Sequence, residues 1–318
     1  MRRSGLTPII PVLQTVVMIR NQAMQLDLFI HSREVMLRSD ALAAIQARQI
    51  PDSRAALAKL AAEYPGDPLL GPLEILLHAL ESPPHRLASA DAVLAAKEQL
   101  ETRIQPVVEW LMSATHATSW IAGEWEILAD AAAGLAYTPT APLACAAPLY
   151  LKAGAWAAAE AAVLAIPSWR RIPLPLAWMA EARLVQFGMA DIWPLLIELA
   201  WLDPSGFDRL ARRLKEPILD RLLHNFDADF ENETGDEQDG HLHPSAWLPA
   251  WSMIVEPGMA PFLRQTQPGQ GQSPERAARL LLDMLALEKQ GTHPRLLEQR
   301  KKLRQLHPGL FVRYMRTR

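Results

Sequence analysis

Cysteine is almost absent from this chain: Cys145 is the single one in 318 residues. One thiol cannot close an intramolecular disulfide, so packing must hold the fold, and a reducing compartment is the expected home. The thiol lies in Leu143-Ala144-Cys145-Ala146-Ala147 with no base placed beside it. That pattern reads as a small core residue rather than a nucleophile. Catalytic signatures are lacking as well. There is no Gly-rich phosphate loop, no Gly-x-Ser-x-Gly elbow, no paired-histidine zinc motif and no cysteine cluster. The expectation is a non-enzymatic protein with no catalytic residue, no cofactor and no metal.

Charge of one sign is also scarce, because the net charge is only -3 while half the residues are hydrophobic. So much apolar side chain excludes a wholly disordered chain. The slight acidity argues against direct binding of nucleic acid. Long unbroken apolar runs are missing. Residues 131–151 carry no charge, but they are mostly alanine and are interrupted by Pro139, Pro142 and Pro148. Such a stretch does not cross a bilayer. Ser4 to Ile19 lies between Arg3 and Arg20 like the apolar part of a signal peptide, yet Pro8, Pro11 and Gln14 break it and no cleavage pattern follows. Residues 1–23 are therefore expected to be a disordered leader, with Met24 as an alternative start. A cytoplasmic location without membrane contact follows.

What the sequence does have is alanine, leucine and helical spacing. Runs rich in Val, Ile and Thr are few, which favours helix over strand. The 26 prolines fall mostly between apolar periodic stretches and punctuate many short helices. Leu28, Phe29, Met36, Leu37, Leu42 and Ile45 recur at helical spacing between Leu26 and Gln49. Further helices are expected before Tyr64-Pro65-Gly66, over 70–80, and over 89–113 with a kink or break at Pro106. Residues 119–136, 140–153, 155–166, 174–187, 190–202 and 206–226 each read as a helix. Their short links force consecutive helices antiparallel. The fold class is all-α, built from stacked antiparallel helix pairs. The expected organisation is a helical-repeat domain over 24–226, an acidic loop over 227–245, C-terminal helices over 246–306 and a basic tail over 307–318.

Within 140–167, Ala147 and Tyr150 stand a turn apart, Gly154 marks a turn, Trp156 and Ala159 follow it, and Pro167 closes the unit. Trp178, Ala182, Gly188, Ala200 and Asp203-Pro204 repeat the scheme over 174–204, with Gly188 placed 34 residues after Gly154. This pattern resembles the tetratricopeptide repeat. The resemblance covers about two units and implies an α-solenoid with a groove for a protein partner. The chain is accordingly expected to be a scaffold or adaptor for protein–protein interaction.

One short motif is sharper. Gln25-Leu26-Asp27-Leu28-Phe29 resembles, at all five positions, the pentapeptide with which bacterial replication and repair proteins dock on the sliding clamp. In that family Leu26, Leu28 and Phe29 would enter apolar pockets while Gln25 bonds at the rim. The competing reading makes Leu28 and Phe29 the start of the first core helix. If the motif is used, the chain is a replication or repair accessory factor tethered to the clamp.

The remaining candidates cluster late in the chain. Asp227, Asp229, Glu231, Glu233, Asp236, Glu237 and Asp239 occur with no basic residue among them. The turn glycine of a calcium loop is missing, since Asn232 takes its place, so a solvated charge run is expected. His241 and His243 could serve a metal-dependent enzyme, but no further His or Cys completes a set. Most of the ten tryptophans are expected to pack between helices. Trp247 and Trp251, one turn apart, would form a partner-binding anchor if exposed.

Overall fold

A computed structural model of the chain describes residues 32–230, 243–291 and 293–318. Among these residues every regular element is helical and none is a strand. None of the described helices is long and apolar enough to cross a membrane. The chain forms two compact units, one comprising residues up to His85 with Leu94–Leu128, the other Arg86–Val93 with Ala129–Arg318.

In the first unit, helix α1 covers 32–46 and is followed by α2 (Ile50–Glu63) and α3 (Leu70–Glu81). Pro51 lies in the first turn of α2, where its missing N–H costs nothing. Leu37 and Ile45 of α1, Leu57 and Leu60 of α2 and Leu73 and Leu76 of α3 are buried, which is the stripe expected of amphipathic helices. The expected break near Pro106 takes a specific form. Helix α4 (Ala90–Gln99), which enters this unit at Leu94, opens into one wide π-turn over Leu100–Ile104, and α5 (Gln105–Leu111) resumes with Pro106 in its first turn. A π-turn removes the i→i−4 bond that proline cannot make. Helix α6 (Ala114–Ala132) follows and contributes buried Trp120 and Trp125.

Arg48 ties this unit together. Its backbone turns with a φ of 55°, and its guanidinium crosses to α6. There it donates to the Trp120 carbonyl at 2.9 Å, pairs with Glu124 at 2.9 Å and lies 4.9 Å above the Trp120 ring. The Trp120 indole returns a hydrogen bond of 3.2 Å to the Ile45 carbonyl. Gly123 makes room, since a Cβ there would stand 2.7 Å from Arg48 Nη2. Burial pushes the Glu124 carboxyl up, against the pull of Arg48.

The second unit carries the paired helices anticipated from the two glycines. A 3-10 turn (Pro142–Ala144) leads into α7 (Ala146–Ala153), α8 (Trp156–Leu164), α9 (Pro173–Phe187) and α10 (Met189–Leu202). Each packs on the next in sequence. Gly154 ends α7 with a φ of 71°, a left-handed cap that an L side chain resists. The small residues picked out above, Ala147, Ala159, Ala182 and Ala200, are all buried in the seams between helices. Small side chains there let the backbones approach.

Helices α11 (Pro204–Leu214) and α12 (Pro217–Phe230) replace the single helix expected over 206–226. Glu216 precedes a proline and is driven from the helical region, and Lys215 takes the left-handed turn with a φ of 52°. Then come a 3-10 turn (Pro244–Trp247), α13 (Leu248–Val255), a second such turn (Pro257–Met259) and α14 (Ala260–Arg264). The unit ends with α15 (Ser273–Gln290), α16 (His293–Leu306) and α17 (Pro308–Arg316). Helix α13 is buried from Leu248 to Ile254 and forms the centre of this core.

The basic tail expected over 307–318 is thus largely a helix. Pro308 starts it, the His307 ring accepts a hydrogen bond from the Leu310 N–H at 3.1 Å, and buried Tyr314 anchors it through its hydroxyl to Glu288. The start of the expected acidic loop is likewise helical. Asp227 and Asp229 lie in the last turns of α12, where Asp227 pairs with Arg212 at 2.9 Å and Asp229 pairs with Arg313 of α17.

Candidate functional site

Helix α8 reads Trp-Ala-Ala-Ala-Glu-Ala-Ala-Val-Leu, so it has little side chain to present on any face. Ala159 and Val163 point into the core. Ala158, Ala161, Ala162 and Ala165 lie on another side, where they line an open groove of about 650 Å³. Its remaining walls come from Gly134–Tyr137 and from α7, including Cys145 and Tyr150. The groove exists because alanine cannot fill it: a row of leucines at those positions would occupy the space.

The groove is predominantly apolar but has polar markers. The Tyr150 hydroxyl donates to Asp130 at 2.6 Å. Tyr137 stacks edge-on against Trp178 with ring centroids 6.0 Å apart. Burial pushes the Cys145 thiol up and, together with the neighbouring thiol, raises the Tyr137 phenol. The thiol donates weakly to the Pro142 carbonyl at 3.4 Å. A protonated, buried sulfur of this kind is structural, as expected from its alanine neighbours. Glu160 secures the groove's floor by accepting from Arg183 and Gln186 of α9 at 2.9 and 3.0 Å.

A second polar arrangement sits where 265–272 folds back on the helices. Glu198 of α10 is 7% exposed and is held by Arg170 through two hydrogen bonds of 2.7 Å. It also accepts the Gln267 backbone N–H at 2.5 Å. Glu275, 3% exposed in the first turn of α15, accepts the N–H groups of Gly269 and Gly271 at 2.8 and 2.9 Å and Arg279 Nε at 3.0 Å. Burial opposes its charge, but the two glycine N–H groups and Arg279 outweigh it and hold the carboxyl below its ordinary range. Arg279 lies 5.5 Å from the Trp201 ring, and Arg171 donates to the Pro268 carbonyl. These carboxylates already serve as acceptors, so the cluster works as a latch on the segment rather than as an acid–base pair.

Comparison with protein-family models, with curated proteins and with solved structures finds no match to this chain. Function must be read from its own residues.

The sequence-derived candidates fare differently. Gln25, Leu26, Asp27, Leu28 and Phe29 lie outside the described residues, as does His241. Trp247 and Trp251 do not form an exposed anchor: they are 3% and 1% exposed. Trp251 packs 5.5 Å from Phe226 and donates its indole N–H to Asp229 at 3.0 Å, and Trp247 meets His307 at 4.5 Å. Their place on the all-buried helix α13 and the turn before it puts both in the core. His243 caps that turn, its Nδ1 accepting from the Ser245 N–H at 3.4 Å. Among the described residues, no group of three His, Cys, Asp or Glu is placed to hold a metal ion. No local signal marks the latch: 268–272 reads as a plain linker, and nothing in the sequence pairs Glu198 with residue 267.

Proposed function

We propose that this chain is a tetratricopeptide-like helical scaffold that takes an apolar segment of a protein partner into the alanine-lined groove of α7 and α8. The carrying observation is that groove itself. It is concave, mainly apolar and floored by four alanines at helical spacing, so a partner helix can approach closely. Burial of Ala147, Ala159, Ala182 and Ala200 at the small positions of the repeat scheme supports the same reading.

The test is affinity capture of the native chain from extract of its own cells, beside an Ala161→Trp, Ala165→Trp variant. Both alanines are exposed, so the fold and Tm should hold while the captured protein is lost. Equal capture by both chains removes the groove from consideration.

A second reading is favoured by Gln25-Leu26-Asp27-Leu28-Phe29, which matches the clamp-docking pentapeptide throughout. In it the scaffold is a replication or repair accessory delivered to DNA through the sliding clamp. Purified clamp should retain the native chain and release Gln25→Ala and Phe29→Ala variants. Retention of all three alike would discard the tether.

A further inference from the structure

The last three helices are chemically unlike the rest of the chain. Residues 273–318 hold eleven Lys and Arg against four Asp and Glu, in a protein whose overall charge is -3. Part of this charge is neutralised internally: Arg313 pairs with Asp229, and Arg318 pairs with Glu288 at 3.1 Å. Part of it is not. Arg276, Arg295, Lys301, Arg304 and Arg316 have no carboxylate partner among the described residues, and Arg304 instead lies 6.0 Å from the Phe311 ring.

Helix α15 and helix α16 enclose a groove of about 420 Å³ on this basic side. Arg276, Arg279 and Lys302 stand along it, Leu280 and Leu306 give it apolar surface, and Gln305 and Asp283 complete the lining. Arg276 is the telling residue. It occupies the first turn of α15, where the helix dipole disfavours a cation, and it is exposed. Helix stability does not account for it. Lys302 meets only Glu298, one turn back at 2.8 Å, and both side chains are at least half exposed, so a ligand competes easily for it.

We propose that this groove is a docking site for an acidic peptide that also carries an apolar side chain. Arg276 and Lys302 meet the peptide's carboxylates, while Arg279 stays with Glu275, and Leu280 and Leu306 receive the peptide's apolar residue. The lining disfavours a nucleic-acid backbone. The leucines would gain nothing from phosphates, and the remainder of the chain is net acidic and repels a long polyanion. The site is separate from the alanine-lined groove, so either can fail without the other.

Fluorescence polarisation with full-length protein tests the assignment. The probe is a fluorescein-labelled peptide of Asp-Asp-Leu repeats, beside an Asn-Asn-Leu control and a single-stranded oligonucleotide. The native chain should bind the acidic peptide, more weakly as salt rises. Arg276→Glu with Lys302→Glu should weaken binding by roughly tenfold or more, and Asp283→Asn should strengthen it. Circular dichroism should be unchanged and Tm should shift only slightly, because all three side chains are exposed and the dipole gain at residue 276 opposes the loss of the Lys302–Glu298 pair. Equal binding by the charge-reversed chain, equal binding of the Asn peptide, or preference for the oligonucleotide would each overturn the proposal.

Discussion

Arg170 and Glu198 meet fork to fork, with two hydrogen bonds of 2.7 Å between a quarter-exposed guanidinium and a buried carboxylate. That geometry suits arginine alone among the basic side chains, because lysine offers no planar pair of donors. The pair also fixes 265–267, since Glu198 accepts the Gln267 N–H and Arg170 reaches the Gln265 carbonyl.

Arg170→Ala leaves Glu198 buried without its cation, and the expected loss of stability is about 2–4 kcal/mol. Arg170→Lys should recover less than half of it. Urea denaturation of the three chains decides the matter. A loss too small to measure would show that Glu198 draws its support from elsewhere.

Glu275 gives a pH signature. Its folded pKa lies below the unfolded value, so its stabilisation is complete above the ordinary carboxylate range. It disappears as pH falls through the lowered pKa. Glu275→Gln should therefore be less stable than native by about 1–3 kcal/mol near neutrality. The gap should close as pH falls from neutrality to below that lowered pKa. Tm measured across that range would refute the charge-based account if the gap stayed constant.

Gly123→Ala would place a methyl group 2.7 Å from Arg48 Nη2 and drive the guanidinium from Trp120 and Glu124. The lost contacts are offset in part by the better helix propensity of alanine, so the expected net cost is about 0–2 kcal/mol. Combined with Arg48→Ala, the second substitution should add little, because both remove the same contact. Full additivity in a double-mutant cycle would contradict this.

Gly154→Ala forces a Cβ into the left-handed region and should destabilise the second unit by about 1–2 kcal/mol. Gly71→Ala is the contrast. It lies exposed in α3 with open space around it, and the better helix propensity of alanine is offset by the crowding of a Cβ against the following Pro72, so that change should be close to neutral. Chemical denaturation with fluorescence detection separates the two.

The helices were legible because alanine, leucine and proline fix local structure. Gly154 and Gly188 mark their turns, and Ala147, Ala159, Ala182 and Ala200 are buried where consecutive helices pack. What was not legible depends on residues far apart in sequence. Nothing local reveals that Glu198 meets Gln267, or that Asp229 meets Arg313 and Trp251. Exposure is equally opaque. Trp110 and Trp251 look alike as letters, yet Trp110 is 63% exposed and Trp251 is buried. The alanine-lined groove was hidden for a related reason, since an alanine run announces a helix and not the space left beside it.

The wide turn at Leu100–Ile104 changes how this part of the chain can evolve. Leu100, Ile104, Val108 and Met112 are buried at steps of four residues. In a uniform α-helix each such step overshoots a full rotation by about 40°, and the row would wind off the seam. One turn of π-helix absorbs the drift and resets the phase. Here the helix already houses a surplus residue, so a one-residue deletion within that turn would be read out as ordinary α-helix, making it the natural place for related chains to differ in length.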